Sequence, residues 1–150
     1  IVMGCCYSYI LYYELRNKKD VPETFTFDGT STLAKVVDIY DGDTCTIVFK
    51  FRGQFIKHKT RAYGYDTHEM RPSKQLANRD VEIENAHRQK EAFKQLVFYN
   101  NDGIVNVELK GFDKYGRILA IYYGKDKTTS INDIMVSNHD AKPYFGGTKL

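Results

Sequence analysis

From Cys45 to Arg52 the chain alternates, with apolar Cys45, Ile47, Phe49 and Phe51 separated by Thr46, Val48, Lys50 and Arg52. A period of two sends successive side chains to opposite faces, so this segment is a half-buried β-strand. Arg52-Gly53-Gln54 offers a tight turn, and a second strand runs from Phe55 to Tyr63. There Lys57, Lys59 and Arg61 take one face, and Ile56, His58, Thr60 and Ala62 the other. On the N-terminal side, Leu33 to Tyr40 is rich in β-branched residues and ends at Asp41-Gly42-Asp43, which completes a three-stranded meander.

Beyond a loop containing Pro72, the apolar residues Ile83, Ala86, Phe93, Leu96 and Val97 recur at helical spacing, so one long amphipathic helix begins near Asp80. It stops at Asn100-Asn101-Asp102-Gly103. Val105, Val107 and Leu109 then alternate along a fourth strand, and a fifth spans Tyr115 to Tyr123. Ser130-Ile131-Asn132-Asp133 resembles a capping box that opens a short last helix over Ile134 to Val136. The order β-β-β-α-β-β-α predicts an α+β, mainly β chain: a five-stranded Greek-key barrel of the OB type, with a long helix between the third and fourth barrel strands and a short C-terminal helix. With 150 residues and 42% hydrophobic content the chain can bury one core. The polar stretch 14–31, with a Pro and a Gly, divides it into an arm and linker (1–31) and the barrel domain (32–150).

A net charge of +3 is too small to point to nucleic acid by itself. The apolar stretch from Ile1 stops at Glu14, short of the roughly 18 residues a membrane span needs. Cys5, Cys6 and Cys45 allow no disulfide framework, which favours a reducing compartment. The run Met3-Gly4-Cys5-Cys6-Tyr7-Ser8 fits an acylation pattern in which Gly4 takes a myristoyl chain and Cys5 and Cys6 take palmitoyl chains, provided Met3 is the start. Several acyl chains hold a membrane surface firmly, whereas one does so marginally. With another start, the chain is secreted or cytoplasmic.

Polar residues gather in three segments: Asp41-Gly42-Asp43-Thr44, Arg61 with Tyr65-Asp66-Thr67-His68-Glu69, and Asp113-Lys114-Tyr115-Gly116-Arg117. Each alone is an ordinary turn or acidic loop. The second can also load a hard cation through oxygen. Together, in order and in wording, they resemble the staphylococcal nuclease (thermonuclease) family, over about Thr32 to Lys149. That family shows a D-G-D-T turn, an arginine five residues before the aspartate of D-T-P-E, and a D-K-Y-G-R turn.

The resemblance implies a Ca²⁺-dependent nuclease that cuts DNA and RNA with little sequence specificity, prefers single strands, acts as a monomer and leaves 3′-phosphate ends. By similarity, Asp43 and Asp66 ligate calcium through their carboxylates and Thr67 through its backbone carbonyl, an all-oxygen set. Glu69 is the general base, Arg61 and Arg117 clamp the phosphate with planar forks, and Lys114 and Tyr115 contact a neighbouring phosphate. Tyr144 and Phe145 are the candidates for stacking on a base. His68 stands where the family has proline, which removes a rigid element beside Glu69 and makes the imidazole a loop filler. Phe145 replaces an aspartate, Asn138-His139-Asp140 replaces a glycine-containing turn, and no further C-terminal helix follows before Leu150. The alternative reading is a catalytically weak OB module that binds nucleic acid or protein. A membrane-tethered scaffold would use the arm alone.

Overall fold

In the computed structural model, which describes residues 2–146, the alternation around Cys45 builds the second strand of a closed barrel. The barrel strands are β1 (Thr30–Ile39), β2 (Thr44–Phe51), β3 (Gln54–Ala62), β5 (Ile104–Phe112) and β6 (Ile118–Tyr123). Their order around the barrel is β1-β2-β3-β6-β5, and β5 pairs with β1 to close it. All these pairs are antiparallel except β3 with β6, which run parallel from Thr60 to Ala62. Helix α2 (Arg79–Lys94) lies between β3 and β5 in sequence, and α3 (Ile131–Asn138) follows β6. The architecture is the expected α+β, OB-fold-like barrel with a central and a C-terminal helix.

Three features add to that expectation. Helix α1 (Val2–Arg16) occupies about half of the arm and takes in Gly4, Cys5 and Cys6. Cys6 is exposed with a free thiol, and the surroundings of Gly4 and of the Cys5 side chain lie outside what is described. The three-residue strands β4 (Gly64–Asp66) and β7 (Lys142–Tyr144) pair as a separate small sheet. Helix α2 passes into a single π-turn over Gln95–Tyr99, where the Asn100 N–H donates to the carbonyl of Gln95. No helix among the described residues is long and apolar enough to cross a membrane.

Two boundaries move. β1 starts at Thr30, not Leu33, because the Thr30 N–H donates to Phe27 and the Gly29 N–H to Leu109, seating the chain on β5. Phe27, within the stretch read as linker, is buried among Phe49, Phe51 and Phe112, so the barrel recruits the end of the arm. β6 starts at Ile118, not Tyr115, because Asp113 to Arg117 closes as a turn in which Gly116 takes φ 77°.

The interior alternates as the sequence predicts: Cys45, Ile47 and Phe49 of β2 face Val107, Leu109, Ala120 and Tyr122, all with exposures of 1% or less. Ser130 caps α3 by accepting from the Asp133 N–H at 3.1 Å, as the capping box predicts. Two residues on, in the first turn, buried Asn132 locks α3 to the barrel. Its Oδ1 accepts from the Tyr122 N–H, and its Nδ2 donates to the carbonyls of Tyr63 and Ala120. Asn132→Leu removes these partners from buried groups and is expected to cost about 1–3 kcal/mol in urea unfolding.

Candidate functional site

The turn between β1 and β2 is folded by its own aspartate. Asp41 Oδ1 accepts from the backbone N–H groups of Asp43 and Thr44, at 3.0 and 2.8 Å, an arrangement that aims the Asp43 carboxylate across the barrel mouth. Gly42 is required by crowding: a Cβ there would lie 2.9 Å from Thr67 Cγ2 and 3.1 Å from Gln89 Cβ. The Tyr65 hydroxyl donates to the Gly42 carbonyl at 2.8 Å, and burial holds that phenol well above its usual pKa.

Arg61 is the last cation on the outward face of β3. One guanidinium nitrogen, Nη2, reaches Asp66 Oδ1 at 2.6 Å and Asp43 Oδ2 at 3.4 Å, so two carboxylates from different loops converge on one atom. Burial opposes the charge on Arg61, but the two carboxylates outweigh it and raise its pKa further. The Tyr144 ring, brought in by the β4–β7 sheet, lies 5.3 Å from the guanidinium carbon. Arg117 is set by its turn: its Nε donates to Asp113 Oδ2 at 2.7 Å, its Nη1 donates to Thr44 Oγ1 at 3.1 Å, and Tyr115 lies beneath it at 5.4 Å.

Asp43, Arg61, Asp66, Thr67, Glu69, Lys114, Tyr115, Arg117 and Tyr144 all line one open cleft of about 830 Å³, with Phe145 beside them. The structure thus brings together every predicted site residue outside the arm. The arm residues Gly4, Cys5 and Cys6 belong to α1, and Cys6 does not line the cleft.

The loop carrying Glu69 is tied to α2 by residues that the sequence did not mark. Glu82 Oε1 accepts from the Glu69 N–H at 3.0 Å, and its Oε2 meets His68 Nδ1 at 2.7 Å. Gln89, fully buried, accepts from the His68 N–H and donates to the His139 carbonyl. His68 is therefore not a loop filler. With Glu82 it ties the loop to α2. Burial works against the Glu82 charge, but the Glu69 N–H and His68 overcome it and hold Glu82 below the usual carboxylate range. Gln89 had one sequence signal, a polar residue in the apolar stripe Ala86–Phe93. Asp41 and Asp113 lie within the predicted segments, where their roles are to shape a turn and prop an arginine.

Asp43 carries the strongest electrostatic tension in the cleft. Burial, and then the neighbouring Asp41, push its pKa up to about 7 against the pull of Arg61 and Thr44. A carboxyl that binds its proton more tightly when folded stabilises the fold only while protonated, so its contribution is present near pH 4 and lost as pH rises through 7. Urea midpoints taken at about pH 5 and about pH 7.5 should therefore drop more for the native chain than for Asp43→Asn, which cannot titrate there.

Among the described residues, no group of three or more His, Cys, Asp or Glu side chains is disposed to hold a metal ion. What converges is a pair of carboxylates, Asp43 and Asp66, beside the Thr67 backbone. The sequence matches no family model and no curated protein.

Proposed function

We propose that the cleft hydrolyses phosphodiester bonds of single-stranded DNA and RNA with the help of Ca²⁺. The observation that carries this reading is the convergence, in one cleft, of two arginines, two carboxylates that share a guanidinium nitrogen, and a third carboxylate, Glu69, on a tethered loop. A phosphodiester is anionic and gains charge in its transition state, so it needs fixed positive donors and a group that takes a proton from water.

The donor set suits a hard cation held weakly. Asp43 and Asp66 supply carboxylate oxygens, Thr67 a carbonyl, and water or phosphate oxygens must complete the coordination. The high pKa of Asp43 supports this, since burial and the neighbouring Asp41 outweigh the pull of Arg61, and a bound cation would favour the charged carboxylate. Bound there, calcium would polarise the phosphoryl oxygen and neutralise charge. With its two carboxylates so compensated, Arg61 is available to the phosphate. Arg117, propped by Asp113 and Thr44, donates to the other equatorial oxygens. Glu69 takes the proton of the attacking water, and Lys114, Tyr115 and Tyr144 hold the flanking nucleotides. The resemblance to the staphylococcal nuclease family agrees with each of these roles.

The test is degradation of heat-denatured DNA by the purified chain in millimolar CaCl₂ against excess EGTA. Cleavage confined to calcium is expected, and intact DNA from folded protein in both would overturn the reading. The same calcium should raise the urea midpoint at about pH 7.5 and leave it unchanged at about pH 5, where Asp43 is protonated.

A further inference from the structure

The cleft uses only the last of three cations on the outward face of β3. Lys57 and Lys59 stand on the same face as Arg61, each successive pair roughly 7 Å apart along the strand. The register widens this row across the meander. Val48 pairs with both Lys35 and Lys57, Thr46 pairs with both Asp38 and Lys59, and Lys50 pairs with Phe55. Lys35, Lys50, Lys57 and Lys59 are exposed. Phe55 is 78% exposed, with the Lys50 ammonium 5.9 Å from its ring.

Asp38 is the one acidic residue in β1, β2 and β3, against four lysines and Arg61. The whole chain, by contrast, holds 22 basic and 19 acidic residues. None of the four lysines makes an ion pair among the described residues. A concentrated row of unneutralised cations ending in an exposed aromatic ring has the composition of a single-strand track, where ammonium groups follow the backbone and a ring receives a base.

We infer that the outward face of β1–β2–β3 binds single-stranded polynucleotide as a track that leads along β3 into the cleft at Arg61. This rests on the nuclease reading and extends it: the substrate class becomes strands long enough to occupy stripe and cleft together. Arg61 belongs to both, so a linear polyanion can fill both at once, whereas an anionic bilayer cannot enter the cleft.

The test uses the full chain with Lys50→Ala, Lys57→Ala and Lys59→Ala combined, all at exposed positions outside the cleft. Binding of fluorescein-labelled oligo(dT) of about 20 and about 4 nucleotides is followed by anisotropy in EGTA over a salt series. The long strand should bind the triple variant at least tenfold more weakly. Its slope of log K against log salt should be shallower by about 2, near 0.7 for each phosphate that the variant no longer neutralises. The short strand should bind both proteins alike, and a triple Lys→Arg variant should restore the long strand. Equal binding of the long strand to native and Ala variant would overturn the track. So would a loss seen only with phosphatidylserine vesicles, which would assign the stripe to membrane. Hydrolysis of bis(p-nitrophenyl) phosphate in calcium, read in parallel, should be the same in both proteins. Its absence from both would count against the nuclease reading alone, because the anisotropy reads the stripe without it.

Discussion

Glu69→Gln should lower the turnover of denatured DNA by about 10² to 10⁴, the range for a positioned general base, and Arg117→Ala by about 10² to 10³, the range for a missing transition-state donor. The two effects arise differently. The Glu69 loop is fixed through its backbone by Glu82, so the Gln variant keeps the loop and loses only the proton acceptor. Arg117 is fixed through its side chain, and its removal also takes the partner of Asp113 Oδ2, while the Arg117 and Tyr115 backbone N–H groups still hold Oδ1. Initial rates at saturating DNA separate them from binding defects. Turnover within tenfold of the native chain in both variants would refute the assigned roles.

Phe27→Ala is expected to destabilise the chain by about 3–5 kcal/mol, the cost of deleting a buried phenyl ring that cannot be replaced by collapse. Phe27 is 5% exposed and meets Phe25, Phe49, Phe51 and Phe112 edge-on at centroid distances of 4.9 to 5.8 Å. Such pairs add to the area they bury. Urea unfolding monitored by circular dichroism measures it. A loss under about 1 kcal/mol would mean that the segment before β1 packs only loosely on the barrel.

Much of this molecule was legible because its signals are local and periodic. The alternation in β2 and β3 sets both the interior and the register, and Ser130 announces α3. The three polar segments lie where short turns force their side chains to one end of the barrel. Other parts depend on contacts distant in sequence. Strands β4 and β7 have three residues each, too few for a period, and exist because Gly64–Asp66 finds Lys142–Tyr144. Phe27 sits in a stretch whose Pro and Gly read as linker, and only the closed barrel offers it a socket. The run of α1 is nearly unbroken in its apolar residues from Val2 to Tyr13, so it carries no stripe to mark it as helix. Glu82 and Gln89 look like surface and core positions of an amphipathic helix, and nothing local shows that they grip a loop.

The small β4–β7 sheet has a consequence for synthesis on the ribosome. Every barrel strand has been made once Tyr123 emerges, but the wall that places Tyr144 against Arg61 arrives some twenty residues later. The barrel can thus close while the cleft still lacks one side, and a nascent chain stopped before Lys142 would display its arginines and carboxylates without the aromatic shelf beside them.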